Sequence, residues 1–131
     1  MQFNHIANRL ESRFFETVVE MFKQKLGFIE LRRTGRSIWM RQPGTNVDLQ
    51  FSRSETSDRD ADKQRSQVSF LSETPQAALE DLAYWARAHG MEVSVGRYSD
   101  REFFLDAPIA FVDFVIEAMT PELADYGVDA G

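Results

Sequence analysis

Hydrophobic positions along this chain change their spacing in a set order, and the order occurs twice. Met1 to Arg9 alternates around Phe3, His5, Ala7 and Arg9, a two-residue period that predicts a strand with those four side chains on one face. From Ser12 to Leu26 the apolar residues Phe14, Phe15, Val18, Val19, Phe22 and Leu26 fall three and four apart, the stripe of an amphipathic helix. Ser12 is placed to cap it, Lys23 and Lys25 suit the negative end of its dipole, and Gly27 is the left-handed stop. Three strands are predicted next, Phe28 to Arg33, Ser37 to Arg41 and Asn46 to Ser52, separated by the turn-like Thr34-Gly35-Arg36 and Gln42-Pro43-Gly44-Thr45. In the last of them Val47, Leu49 and Phe51 face one way and Asp48, Gln50 and Ser52 the other.

The same order returns after a polar stretch, SRSETSDRDADKQR. Ser66 to Leu71 predicts a strand with Val68 and Phe70 opposite Gln67 and Ser69. Thr74 and Pro75 signal a helix start, with Ala78, Leu79, Leu82, Trp85 and Ala86 as its stripe and Gly90 as its stop. Met91 to Val95, Glu102 to Leu105 and Ala110 to Glu117 predict three more strands, and the acidic tail after Thr120 is expected to fray. Sliding the first half forward by 63 residues places Gly27 on Gly90, Phe22 on Trp85, Val19 on Leu82 and Phe51 on Phe114. The chain therefore reads as one α+β domain, 1–131, built from two βαβββ modules at 1–52 and 66–119, with a solvated polar bridge at 53–65 and a tail at 120–131.

With 131 residues, 43% of them hydrophobic, the chain can bury a real core. The absence of cysteine excludes disulfides, zinc-thiolate sites and cysteine nucleophiles. MQFNHIANRLESR has no basic region followed by an apolar run, and no stretch approaches a membrane span, so the expectation is a cytoplasmic protein without a membrane partner. A net charge of -6 argues against a nucleic-acid partner and toward a basic or neutral small ligand. No phosphate-binding glycine loop, nucleophile elbow or H-E-x-x-H helix is present.

Paired βαβββ units in a chain of this size resemble the vicinal oxygen chelate superfamily, which includes glyoxalase I, bleomycin- and fosfomycin-resistance proteins and extradiol dioxygenases. FNHIANR is similar to its first strand, FKQKLGF to its helix end, GMEV to the opening of the second half's second strand, and FFLDAPIAFVDF to its closing hairpin. The resemblance implies an open, barrel-like sheet of eight strands and a metal site on the inward side chains of the first and fourth strands of both modules. Carried over, those positions are His5, Gln50, Gln67 and Asp113, with Glu117 four residues further along as a fallback. Arg9 matches an arginine that in glyoxalase I binds a carboxylate of the substrate adduct. Homodimers are common among such proteins, so a second copy of the chain is a candidate partner.

One imidazole, one carboxylate and two amides make a poorer donor set than the usual two histidines with one or two glutamates. The triad of iron dioxygenases is missing, which argues against extradiol chemistry. The residues leave three readings open, one of them a structural or regulatory interaction module whose cavity is filled by side chains, and the other two are functions of the pocket itself. One is a small-molecule pocket lined by His5, Arg9, Gln50 and Gln67, with a weak metal site or no cofactor at all. The other is a lyase or isomerase of glyoxalase I type using Ni, Zn, Mn or Fe, with Asp113 or Glu117 moving the proton. His89 beside Gly90 suits a helix C-terminus, and Phe14, Phe15, Phe22, Trp85 and Phe114 are expected in the core, while Trp39 or Met40 faces inward.

Overall fold

A computed structural model describes residues 1–55 and 59–124; the middle of the bridge, 56–58, and the tail from 125 onward lie outside them. Its elements in order are β1 (Gln2–Glu11), α1 (Phe15–Leu26), β2 (Ile29–Arg33), β3 (Ser37–Arg41), β4 (Asp48–Ser54), α2 (Arg59–Gln64), β5 (Gln67–Leu71), α3 (Pro75–Ala88), β6 (Ser94–Arg97), β7 (Glu102–Asp106) and β8 (Val115–Met119). The strands form one sheet in the order β2-β3-β4-β1-β5-β8-β7-β6, so each module contributes a contiguous half. Within the halves β1 runs parallel to β4 and β5 parallel to β8, and the halves meet where β1 pairs antiparallel with β5. Across that seam Ala7 faces Gln67 and His5 faces Ser69.

Each module has its own apolar cluster. Phe15 and Val19 of α1 pack on Ile38, Met40 and Phe51, and Leu79, Ala83 and Ala86 of α3 pack on Val93, Phe103, Leu105 and Ala118. Both helices cover the same face of the sheet, the face to which the odd positions of β4 and the even positions of β5 point. Gly27 and Gly90 end the helical segments at φ 74° and 84°, a region open to glycine without strain.

Several local expectations change. Ser12 opens a 3-10 turn, Ser12–Phe14, and α1 begins only at Phe15, which leaves Phe14 48% exposed. Thr74 occupies the cap position of α3 without a side-chain hydrogen bond. Trp85 is 60% exposed and stacks on His89 at 4.0 Å, and the small Ala83 takes the buried place. The last strand starts at Val115, five residues later than its alternation suggested.

The bridge is not a solvated linker where it is described. Its six-residue helix α2 carries no apolar stripe, and polar contacts hold it down instead. Asp62 accepts from Arg9 Nε at 3.1 Å and from Ser54 Oγ at 2.7 Å, Lys63 Nζ lies 2.8 Å from Asp106 Oδ1, and the Gln64 carbonyl accepts from the Tyr98 hydroxyl. These contacts reach both halves of the sheet.

Candidate functional site

Opposite the helices the sheet is polar at its centre, because strand alternation sends His5, Ala7 and Arg9 of β1, Asp48, Gln50 and Ser52 of β4, and Gln67 and Ser69 of β5 to that side. A cavity of about 360 Å³ opens there, lined among others by His5, Arg9, Gln50, Gln67, Tyr98 and Glu117. Two rungs of the sheet form its floor. In one, Trp39, Gln50, Ala7 and Gln67 lie side by side; in the next, Arg41, Asp48, His5, Ser69, Glu117 and Phe104 do. Ala7 lies between the two glutamines in sheet register and is itself buried, 2% exposed.

His5 is 2% exposed, and the register slip between Phe3 and His5 brings Asn4 alongside it. The Asn4 side-chain oxygen accepts a hydrogen bond from His5 Nδ1 at 2.7 Å, which fixes the tautomer and leaves Nε2 as a buried lone pair without a hydrogen-bond partner. Burial lowers the His5 pKa to about 4 against the opposing charge of Asp48, so the ring is neutral at physiological pH. Glu117 is 3% exposed; Ser69 Oγ donates to its Oε1 at 2.6 Å, and burial raises its pKa to about 7. His5 Nε2 and Glu117 Oε1 are 3.5 Å apart. With one group held neutral and the other half-protonated near neutrality, that approach is not an ion pair.

Five of the six residues expected at the site line this cavity, and Asp113 does not. It is exposed in the turn ahead of β8 and lines a second cleft that shares only Arg9 with the first. The two halves are not related by one constant offset. Trp39 faces Gln50 and Phe104 faces Glu117, so Glu117, 67 positions on, is the counterpart of Gln50, while Gln67, 62 positions on, is the counterpart of His5. The connection between β7 and β8 is longer than that between β3 and β4, which moves the helix-end offset of 63 off register by the last strand. Asp113, carried over by gapless match to the closing hairpin, therefore stands outside the cavity, and the fallback Glu117 stands on its floor.

Arg9 also differs from expectation, since its guanidinium is engaged by Asp62. The reading missed Asp48, a fully buried carboxylate held by Arg41 Nε at 2.5 Å, although its alternation with Val47 and Leu49 put it on the polar face. It also missed Tyr98, whose pKa burial raises to about 12.

A divalent ion can be tested against these donors. Two ligands each about 2.1 Å from one tetrahedral ion lie about 3.4 Å apart, close to the 3.5 Å between His5 Nε2 and Glu117 Oε1. The orphan lone pair and the Asn4 hydrogen bond behind it are what a metal-binding histidine has. Among the described residues no three of histidine, aspartate and glutamate gather as a metal group, so neutral amide oxygens of Gln50 and Gln67 would have to complete the shell. His5 and Glu117 thus supply two donors at metal-ligand spacing.

Two βαβββ modules joined edge to edge in one eight-stranded sheet, with a polar site astride the seam, are the arrangement expected from the sequence, and solved structures share it. Methylmalonyl-CoA epimerase from Mycobacterium tuberculosis has this fold at a TM-score of 0.57 and 18% identity, over 94% of this chain and 91% of its own. Homoprotocatechuate 2,3-dioxygenase from Brevibacterium fuscum, as its E323L mutant, matches at 0.57 and 11% identity over 92% of this chain, which spans only 32% of the enzyme. No family sequence model and no curated protein sequence matches the chain. Among the described residues no helix is long and apolar enough to cross a membrane.

Proposed function

We propose that the protein binds a small molecule in the cavity at the seam of its two modules, over the floor formed by His5, Gln50, Gln67 and Glu117. The observation that carries this reading is the buried His5 Nε2, which has no hydrogen bond of good geometry, although Gln67 lies near enough to interact, and which stands 3.5 Å from the half-protonated Glu117 carboxyl. Buried polar atoms are nearly always satisfied, and one left open beside a cavity points to a missing partner. Screening fragments by ligand-observed NMR tests the reading. Hits that bind the native protein and are lost in Gln50→Trp, whose indole would fill the cavity, support it; hits indifferent to that substitution overturn it.

A second reading, a lyase or isomerase that moves a proton next to a carbonyl, is favoured by Glu117. A carboxyl with a pKa about 7 can both give and take a proton near neutral pH. Ser69 holds one oxygen of Glu117, and the neighbouring Gln67 amide can hydrogen-bond a substrate oxygen. Incorporation of solvent deuterium into a bound carbonyl compound, abolished by Glu117→Gln and retained by Asp113→Asn, is the expected result. Equal loss in both variants would return the protein to the binding reading.

A further inference from the structure

The pairing of the arginines separates one part of this acidic molecule from the rest. Arg9, Arg13, Arg33, Arg41, Arg53 and Arg101 each lie beside a carboxylate. Arg87 and Arg97 have no carboxylate either but donate to the backbone carbonyls of Val93 and Ser99, whereas Arg32, Arg36 and Arg65 have neither kind of acceptor among the described residues, and all three line the cavity at the seam. All three are exposed, so water solvates their charge and they stay available to a ligand, while Glu102 and Glu117 line the same cavity and only Arg65 acts on one of these acids, Glu117. Two of them are also held in place. The Arg32 guanidinium lies 5.4 Å from the Trp39 ring centroid, and that of Arg65 lies 5.4 Å from Tyr98. Stacking orients a guanidinium through its face and leaves its N–H edge free to meet an oxyanion.

We infer that the cavity takes a small organic anion with two negative charges, of the dicarboxylate or phosphomonoester class, whose oxyanion groups meet Arg32, Arg36 and Arg65 at the rim. This rests on the binding reading above and gives the ligand its charge, the reverse of the basic or neutral ligand that net charge alone suggested. The volume of about 360 Å³ limits the ligand to a small one. Arg9 contributes little, because Asp62 already neutralises it.

Malonate, methyl phosphate and the uncharged malonamide are the probes, added at constant ionic strength while the arginine Nε and glutamine side-chain amide resonances are followed by NMR. The expected result is saturable shifts of Arg32, Arg36 and Arg65 with malonate or methyl phosphate, about tenfold weaker binding in Arg36→Gln, and unchanged binding in Arg101→Gln, which removes the same charge elsewhere. The stronger of the two anions identifies the class. Shifts spread over all arginines, or equal weakening in both variants, would mean general screening and overturn the inference. If malonamide moves Gln50 and Gln67 while neither anion moves the rim, the pocket stands and its charge preference falls; if no probe moves either group, both readings fall.

Discussion

His5 has a buried carboxylate on either side, and the two differ in what compensates them. Asp48 lies directly across on β4 and is bonded twice by Arg41, at 2.5 and 3.2 Å. Glu117 lies one strand further the other way, beyond Ser69, and has a hydroxyl for a partner where Asp48 has a guanidinium. The first module has built an internal ion pair; the second has left its acid able to change charge. Equal burial thus yields a structural group in one half and a chemically responsive one in the other, and the difference lies in the cation.

The sharpest way to break that contrast is to remove the cation. Arg41→Gln should destabilise the fold by 3 to 4 kcal/mol in urea titrations at pH 8, toward the lower end of about 3–5 kcal/mol for breaking a buried pair, since Arg41 is itself 39% exposed. Adding Asp48→Asn to that variant should restore most of the loss. A double variant as unstable as the single one would show that Arg41 acts through packing.

The responsive acid predicts a pH dependence. Glu117 has a folded pKa of about 7 against an ordinary value of 4.5, so the folded state holds a proton that the unfolded state has released. Its contribution is fully present below pH 4.5 and is lost as pH rises to 7, a change of roughly 3 kcal/mol. His5 acts in the opposite sense. With its pKa lowered from 6.5 to about 4, its contribution is present above pH 6.5 and is lost as pH falls toward 4. The two nearly cancel between pH 4.5 and 6.5, so the native profile conceals them. The stability difference between Glu117→Gln and the native protein should reveal the acid, shifting in favour of the variant by roughly 3 kcal/mol from pH 4.5 to pH 7; a difference independent of pH would mean that Glu117 is not titrating in the fold.

Gly96 tests the packing next to Glu117. Its cross-strand neighbour is Phe104, which also pairs with Glu117, and a Cβ built on Gly96 would clash with the outer edge of the Phe104 ring, at Cζ and both Cε atoms. Gly96→Ala should cost about 2 kcal/mol, the overpacking range, and Phe104→Leu should recover part of it. Calorimetry of the three variants decides whether the ring is the obstacle.

The repeat, both helix stops and the polar faces of β1, β4 and β5 were legible because alternation and terminal glycines are local signals. The partner of Gln50 was legible only as the fallback Glu117, because the longer β7–β8 connection lies between elements and a gapless match to the closing hairpin led first to Asp113. Helix α2 was illegible for another reason. RDADKQ has no apolar stripe, and three residues that hold it, Arg9, Tyr98 and Asp106, lie 34 or more residues away in sequence from their partners. Net charge likewise hid the arginine rim, since a sum over the chain says nothing about which guanidiniums find acids.

The smallest predicted effect follows from that last distinction. Arg9 stands at the same cavity as Arg32, Arg36 and Arg65 but is compensated by Asp62, with both side chains about one-fifth exposed. Asp62→Asn removes the compensation while leaving an amide able to cap Ser54. Stability should fall by less than about 1 kcal/mol, as for a partly solvated pair. The freed guanidinium should at the same time tighten malonate binding a few-fold at low salt, with the gain shrinking toward 0.5 M salt as screening grows. Isothermal titration of malonate into both proteins measures this. Tighter binding would show that Asp62, on the strap between the modules, sets how strongly the cavity attracts anions; weaker binding would show that Arg9 needs its acid to hold a useful position.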